Sequence, residues 1–125
     1  MTHNRGYKRT DRVAGTIQRQ LSLLIQREVK DPELPKFLTI SAVKVSNDLS
    51  HAKIYFTVYD ADVGTTTRIL NRASSFLRSA LAKHLTTRIV PELHFVYDAS
   101  VEYGRKLTQL IDDVNDIEPT TDDES

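Results

Sequence analysis

Cysteine is absent from these 125 residues, which excludes thiolate-ligated zinc, a thiol nucleophile and a disulfide framework. Tryptophan is absent as well, and methionine occurs only at position 1. Apolar runs are short. None approaches the ~20 consecutive apolar residues of a membrane helix. The opening Met1-Thr2-His3-Asn4-Arg5 leads into no apolar stretch of the kind a secretory signal needs. These absences point to a cytoplasmic chain in a reducing compartment, with no membrane. The length suits one domain with short tails, large enough to fold around its own core.

Catalytic signatures are missing too. His51, His84 and His94 lack metal-ligand spacing. Ser79, His94 and Asp98 offer the residue types of a hydrolytic triad, but no nucleophile elbow accompanies them and no paired-carboxylate site exists elsewhere. The chain therefore reads as a binding protein without metal or cofactor, not as an enzyme.

The charge is what is there. The formal net charge is zero, yet residues 112–125 hold seven acids and no base. Without them, 17 bases face ten acids, a net +7 over residues 1–111. The bases also cluster. Residues 1–30 carry seven bases and two acids, and residues 65–91 carry five bases and no acid. A basic body on an acidic tether suits a polyanionic partner. The plain alternative is a solubilising charged surface.

Residues 1–9 read as a flexible basic arm around Tyr7. From Asp11 the spacing of Val13, Ile17, Leu21, Leu24, Ile25 and Val29 predicts a helix, capped by Thr10 or Asp11 and stopped by Asp31-Pro32. Phe37–Ser46 and His51–Tyr59 read as a hairpin. The first strand slips its alternation between Ala42 and Val43, as a bulge would. Asn47-Asp48 supplies a turn whose residues tolerate the left-handed region. After a loop at Asp60–Thr67, a helical stretch runs to Thr87. Its apolar face is Ile69, Ala73, Phe76, Leu77, Ala80, Leu81 and His84, with His84 expected as a core histidine. Ser74-Ser75 interrupts it, because serine competes for backbone bonds. Pro91 precedes a third strand through Leu93, Phe95 and Tyr97, and Val101–Leu110 reads as a short ordered segment. Residues 10–111 thus form the domain, and 112–125 have too little to bury and read as disordered.

The order α-β-β-α-α-β defines an α+β fold. A right-handed crossover makes the third strand parallel to the second, giving a three-stranded mixed sheet with the helices on one face.

Arg68, Arg72, Arg78, Lys83 and Arg88 are the first candidates for phosphate contact, with Arg78 favoured for lying beside the interruption. Arg88 could instead pair with Asp98. Arg5, Lys8, Arg9, Arg12 and Arg19 form a second basic set. Tyr55, Tyr59 and Tyr103 are aromatics on which bases could stack, although β-surface packing is the better account of the first two.

Ordered blocks along the chain resemble the ribosome-binding factor A family from about Arg9 to Leu110. They are Arg12-Val13-Ala14 with Ile17-Gln18, Glu28 to Pro32, Val43 to Ser50 running into Ala52-Lys53-Ile54-Tyr55, Ala73 to Arg78, and Arg88 to Leu93 with Phe95, Asp98 and Gly104-Arg105. The resemblance implies a KH fold of the second type. It implies a monomeric assembly factor that binds precursor 30S subunits on 16S ribosomal RNA. Such a factor assists late maturation and 16S processing, above all in the cold. Ribosomal proteins and a releasing GTPase are candidate further partners. The family's Ala-x-Gly kink corresponds to Ala73-Ser74-Ser75 here, with serine in place of glycine. The Gly-x-x-Gly cradle of ordinary KH domains is absent. The alternatives are a KH-like module acting on other RNAs and a protein-interaction domain.

Overall fold

Apolar residues four apart build the first helix and aim it at the sheet. The computed structural model of the chain describes residues 3–100 and 103–112, and for residues 3–8 the backbone alone. Helix α1 (His3–Glu28) buries Val13, Ile17, Leu21 and Ile25 in one stripe. It begins at His3, inside the segment expected as an arm and ahead of the Asp11 start. Once a helix is nucleated, each added residue gains a backbone bond for little further ordering.

Strands β1 (Leu38–Val45) and β2 (His51–Val58) pair antiparallel. The register slips between Ile40 and Ala42, so the bulge falls at Ser41 and not between Ala42 and Val43. Two side chains occupy the disturbed ladder. Gln18 Nε2 of α1 donates to the Ile40 carbonyl at 3.0 Å, and Ser41 Oγ lies 3.3 Å from the Tyr55 carbonyl. In the hairpin turn the left-handed residue is Leu49, at φ 63°, and not Asn47 or Asp48. A leucine is strained there, but its side chain is buried in the core. Asp48 instead accepts bonds: its Oδ1 receives Ser46 Oγ at 2.7 Å, Ser50 Oγ at 2.6 Å and Ser50 N–H at 3.0 Å.

Helix α2 (Val63–Arg72) starts earlier than Thr67 because Asp62 caps it, accepting the Thr65 N–H at 2.8 Å. Helix α3 (Ser74–Ala82) follows after the single residue Ala73. Strand β3 (Glu92–Tyr97) runs parallel to β2, giving the order β1-β2-β3. Helices α1, α2 and α3 lie against one face. Ala52, Ile54, Phe56 and Val58 of β2 point into it with Leu93 and Phe95 of β3 and Leu70, Leu77 and Leu81 of the helices. The mixed sheet with one covered and one wet face is the α+β architecture that the element order implies.

Two side chains depart from the expected apolar face. Phe76 is 51 % exposed, and His84, just past the end of α3, is exposed and no core histidine. Beyond β3, residues 99–100 and 103–112 are helical, an element not expected as such. Tyr103, Leu107, Leu110 and Ile111 on it are exposed. Of the acidic tail, residues 113–125 lie outside the described residues. The described residues contain no helix long and apolar enough to cross a membrane.

Candidate nucleic-acid interface

The helices are joined by two clefts, and basic residues stand at both. One cleft, about 260 Å³, is lined by Arg12, Val13 and Thr16 of α1 and by His84, Leu85, Thr86 and Thr87 after α3. Lys83 and Arg88 flank this second segment in the chain, and both are exposed. The other cleft, also about 260 Å³, lies where α1 ends and α2 meets α3. Lys30, Arg72 and Phe76 line it together with Glu28 and Asp31. Arg12 of the second basic set thus stands at one cleft and Arg72 of the first at the other, each on the seam between α1 and the α2–α3 pair.

Arg68 and Arg72 sit one helical turn apart on α2 and are exposed, as are Arg9, Arg12 and Arg19 on α1. Arg19 also donates to Thr16 Oγ1 at 3.5 Å. Side chains of Arg5 and Lys8 lie outside the described residues. Among the described residues, none of the other eight candidate cations forms a salt bridge with a carboxylate within 4.0 Å. The carboxyl of Asp62 is lowered from its usual value, first by the Thr65 hydroxyl and amide donors and last by the charge of Arg68. Asp98 is engaged elsewhere. It accepts Ser41 Oγ at 2.6 Å, Ser100 Oγ at 2.5 Å and Ser100 N–H at 3.0 Å. The Ser100 hydroxyl first, and that of Ser41 next, hold its carboxyl below the ordinary range. These contacts separate Asp98 from both the Arg88 pairing and the imagined triad.

Arg78 differs from its neighbours. Its Nε and Nη2 both donate to the Val90 carbonyl, at 3.0 and 2.9 Å. It therefore ties α3 to the segment that leads into β3, across Pro91, which is fully buried. The break between the helices falls at Ala73, with φ −84° and ψ −1°. The Ala73 N–H still donates to Ile69 O at 3.0 Å, and Leu77 N–H donates to Ala73 O at 2.9 Å. Ser75 is an ordinary α3 residue. No positive φ occurs at residues 73–75, so serine sits there without backbone strain.

Sequence reasoning missed two groups. Asn71 Oδ1 accepts the Phe95 N–H at 3.1 Å, and its Nδ2 donates to the Phe95 carbonyl at 3.4 Å, clamping α2 to β3. His51 and His94, separate by spacing, are brought together by the β2–β3 register, with Glu92 beside them. On the same wet face Lys44 lies over the Tyr55 ring at 5.8 Å, and past the end of β2 Arg105 lies over the Tyr59 ring at 5.8 Å.

Comparison with known proteins gives a single answer. Residues 9–111 match the family model described as ribosome-binding factor A. The chain is 58 % identical over 120 residues to ribosome-binding factor A of Legionella pneumophila (strain Lens), covering 96 % of this chain and 98 % of that one. Its fold resembles the crystal structure of ribosome-binding factor A from Thermus thermophilus. That match has a TM-score of 0.64 and 31 % identity over 70 % of this chain and 94 % of the other. A homology model of the Thermus thermophilus factor, fitted into the cryo-EM map of a 30S–RbfA complex, matches at TM-score 0.58 and 32 % identity. It covers 69 % of this chain and 91 % of the other.

Proposed function

This chain belongs to the ribosome-binding factor A family, and from that premise we propose that it docks on precursor 30S subunits through 16S ribosomal RNA and assists their late maturation. In this reading it acts by binding in the cytoplasm, not by catalysis, and supports 16S processing, with its largest effect in the cold. The carrying observation is the set of exposed cations: Arg12 and Arg72 stand at two clefts beside α1, and the eight described candidates form no salt bridge with a carboxylate among the described residues.

Arg12, Arg68, Arg72, Lys83 and Arg88 neutralise phosphates along the seam, each releasing counterions. Phe76, half exposed beside Arg72, offers a ring on which an unpaired base can stack. Arg78 serves the surface by holding the Val90 segment and adds its charge from there. The acidic tail would compete with RNA for the basic body and so discourage loose, non-specific contacts.

Crosslinking followed by sequencing tests this reading. Contacts concentrated in 16S RNA are expected. Contacts scattered over messengers would favour a general RNA-binding module, and an absence of RNA contacts would favour a protein-interaction domain.

A further inference from the structure

The parallel register of β2 and β3 sets His51 opposite Glu92 and Lys53 opposite His94. Residues two apart on a strand share a face, so Glu92 and His94 project to the same side, and His51 reaches them from the adjacent strand. His51 Nδ1 and His94 Nε2 face each other at 3.1 Å. Glu92 Oε2 lies 3.9 Å from the same His51 nitrogen. One donor atom from each of the three residues falls within 4.8 Å of the other two.

We propose that His51, Glu92 and His94 form a three-ligand site for a divalent transition ion of the zinc type. The argument is geometric. Zinc binds imidazole nitrogen at ~2.0–2.1 Å in tetrahedral geometry, which sets neighbouring donor atoms roughly 3.3 Å apart. The observed His–His separation of 3.1 Å is already near that edge length, and the 3.9 Å separation closes with a small rotation of an exposed glutamate. Two imidazoles and one carboxylate, with a fourth position open to solvent, are a donor set that zinc uses. Calcium and magnesium prefer all-oxygen shells and are disfavoured here.

Strand pairing supplies the preorganisation. The ladder is anchored beside the site by the Glu92 N–H, which donates to Ser50 O at 2.9 Å. Lys53 lies across the ladder from His94, and its charge makes the site weaker than a buried one. The cluster is on the wet face, opposite the covered face on which the helices pack, so the inference does not rest on the proposed RNA contacts.

The test is zinc titration of the full, tag-free chain by calorimetry, paired with cobalt substitution read by visible absorption. The expected result is one ion per chain and the absorption of a low-coordinate cobalt site. His51→Ala and His94→Ala should each weaken binding at least roughly tenfold, and Glu92→Gln by about that factor, as for loss of a ligand or its close support. His84→Ala and His3→Ala should leave binding unchanged. Circular dichroism would confirm that the exposed substitutions leave the fold intact. Zinc binding that is absent from the wild-type chain, that survives in His51→Ala and His94→Ala, or that is lost in His84→Ala or His3→Ala overturns the proposal.

Discussion

Asn71 provides a sharp test of how the helices hold the sheet. Strand β3 lies at an edge. Glu92 and Asp98 turn their N–H groups toward β2, donating to Ser50 O and Phe56 O at 2.9 and 2.8 Å. With a period of two, Phe95 turns its own N–H and carbonyl outward, and Asn71 receives both. Asn71→Ala therefore removes two hydrogen bonds and leaves one donor and one acceptor at a part-buried edge. A lost neutral bond costs ~0.5–1.5 kcal/mol, and an unsatisfied buried group somewhat more. Asn71 itself is exposed, so water re-solvates part of the edge, and the 3.4 Å bond is the weaker of the two. The expected cost is about 1–2 kcal/mol. For a domain near 100 residues, 1 kcal/mol lowers Tm by roughly 4–8 °C. Thermal melting should thus show a drop of ~4–16 °C, and the Phe95 amide should exchange faster with solvent. Asn71→Asp keeps the acceptor, loses the donor and sets a carboxylate against a carbonyl, so it should recover little. An Asn71→Ala melting curve that overlays the wild type would refute the clamp.

Three further outcomes follow from the local geometry. The Asp48 carboxyl is lowered from 3.8 to about 2 by the Ser50 and Ser46 hydroxyls and the Ser50 amide. A depressed carboxylate stabilises the fold above its unfolded value and loses that contribution as pH falls through the folded one. Asp48→Asn should therefore flatten the Tm profile between about pH 4 and 2, and an unchanged slope in that window would count against the turn contacts. Arg78→Lys keeps the charge but cannot reproduce the forked bond to Val90 O. It should lower stability by ~0.5–1.5 kcal/mol while RNA binding persists, whereas Arg72→Glu should leave Tm nearly unchanged and weaken binding. Ser75→Gly should fold normally and lose about 0.5 kcal/mol or less of helix stability, since glycine is the weaker helix former; a severe loss of Tm would show that Ser75 holds the helix break.

The parts of the fold legible in the sequence are those governed by a short period. The four-residue spacing from Val13 to Ile25 and the strict alternation of β2 named the buried faces, and Pro91 marked the start of β3. Errors fell where one contact outweighs a pattern. Asp62 captures the start of α2 through one hydrogen bond, Ser41 moves the bulge, and burial pulls Leu49 into the left-handed region. Phe76 and His84 fit the helical spacing but lie at the break and just past the end of α3, where the face turns away from the core. The basic sets were visible as composition, but the placing of Arg12 and Arg72 at clefts beside α1 required the packing of the helices. The Asn71 clamp and the His51–Glu92–His94 cluster depend on strand register, which no local spacing reveals.

Purified precursor 30S subunits, titrated with the chain across a salt series, test the central electrostatic claim most directly. Five phosphate contacts at a slope of ~0.7–0.9 each predict that log affinity falls by about 3.5–4.5 per tenfold rise in salt, or roughly 130- to 500-fold between ~50 and ~200 mM. The double variant Arg68→Ala/Arg72→Ala should reduce that slope by about 1.4–1.8. Affinity that stays flat with salt, or a slope that the double variant leaves untouched, would contradict the account.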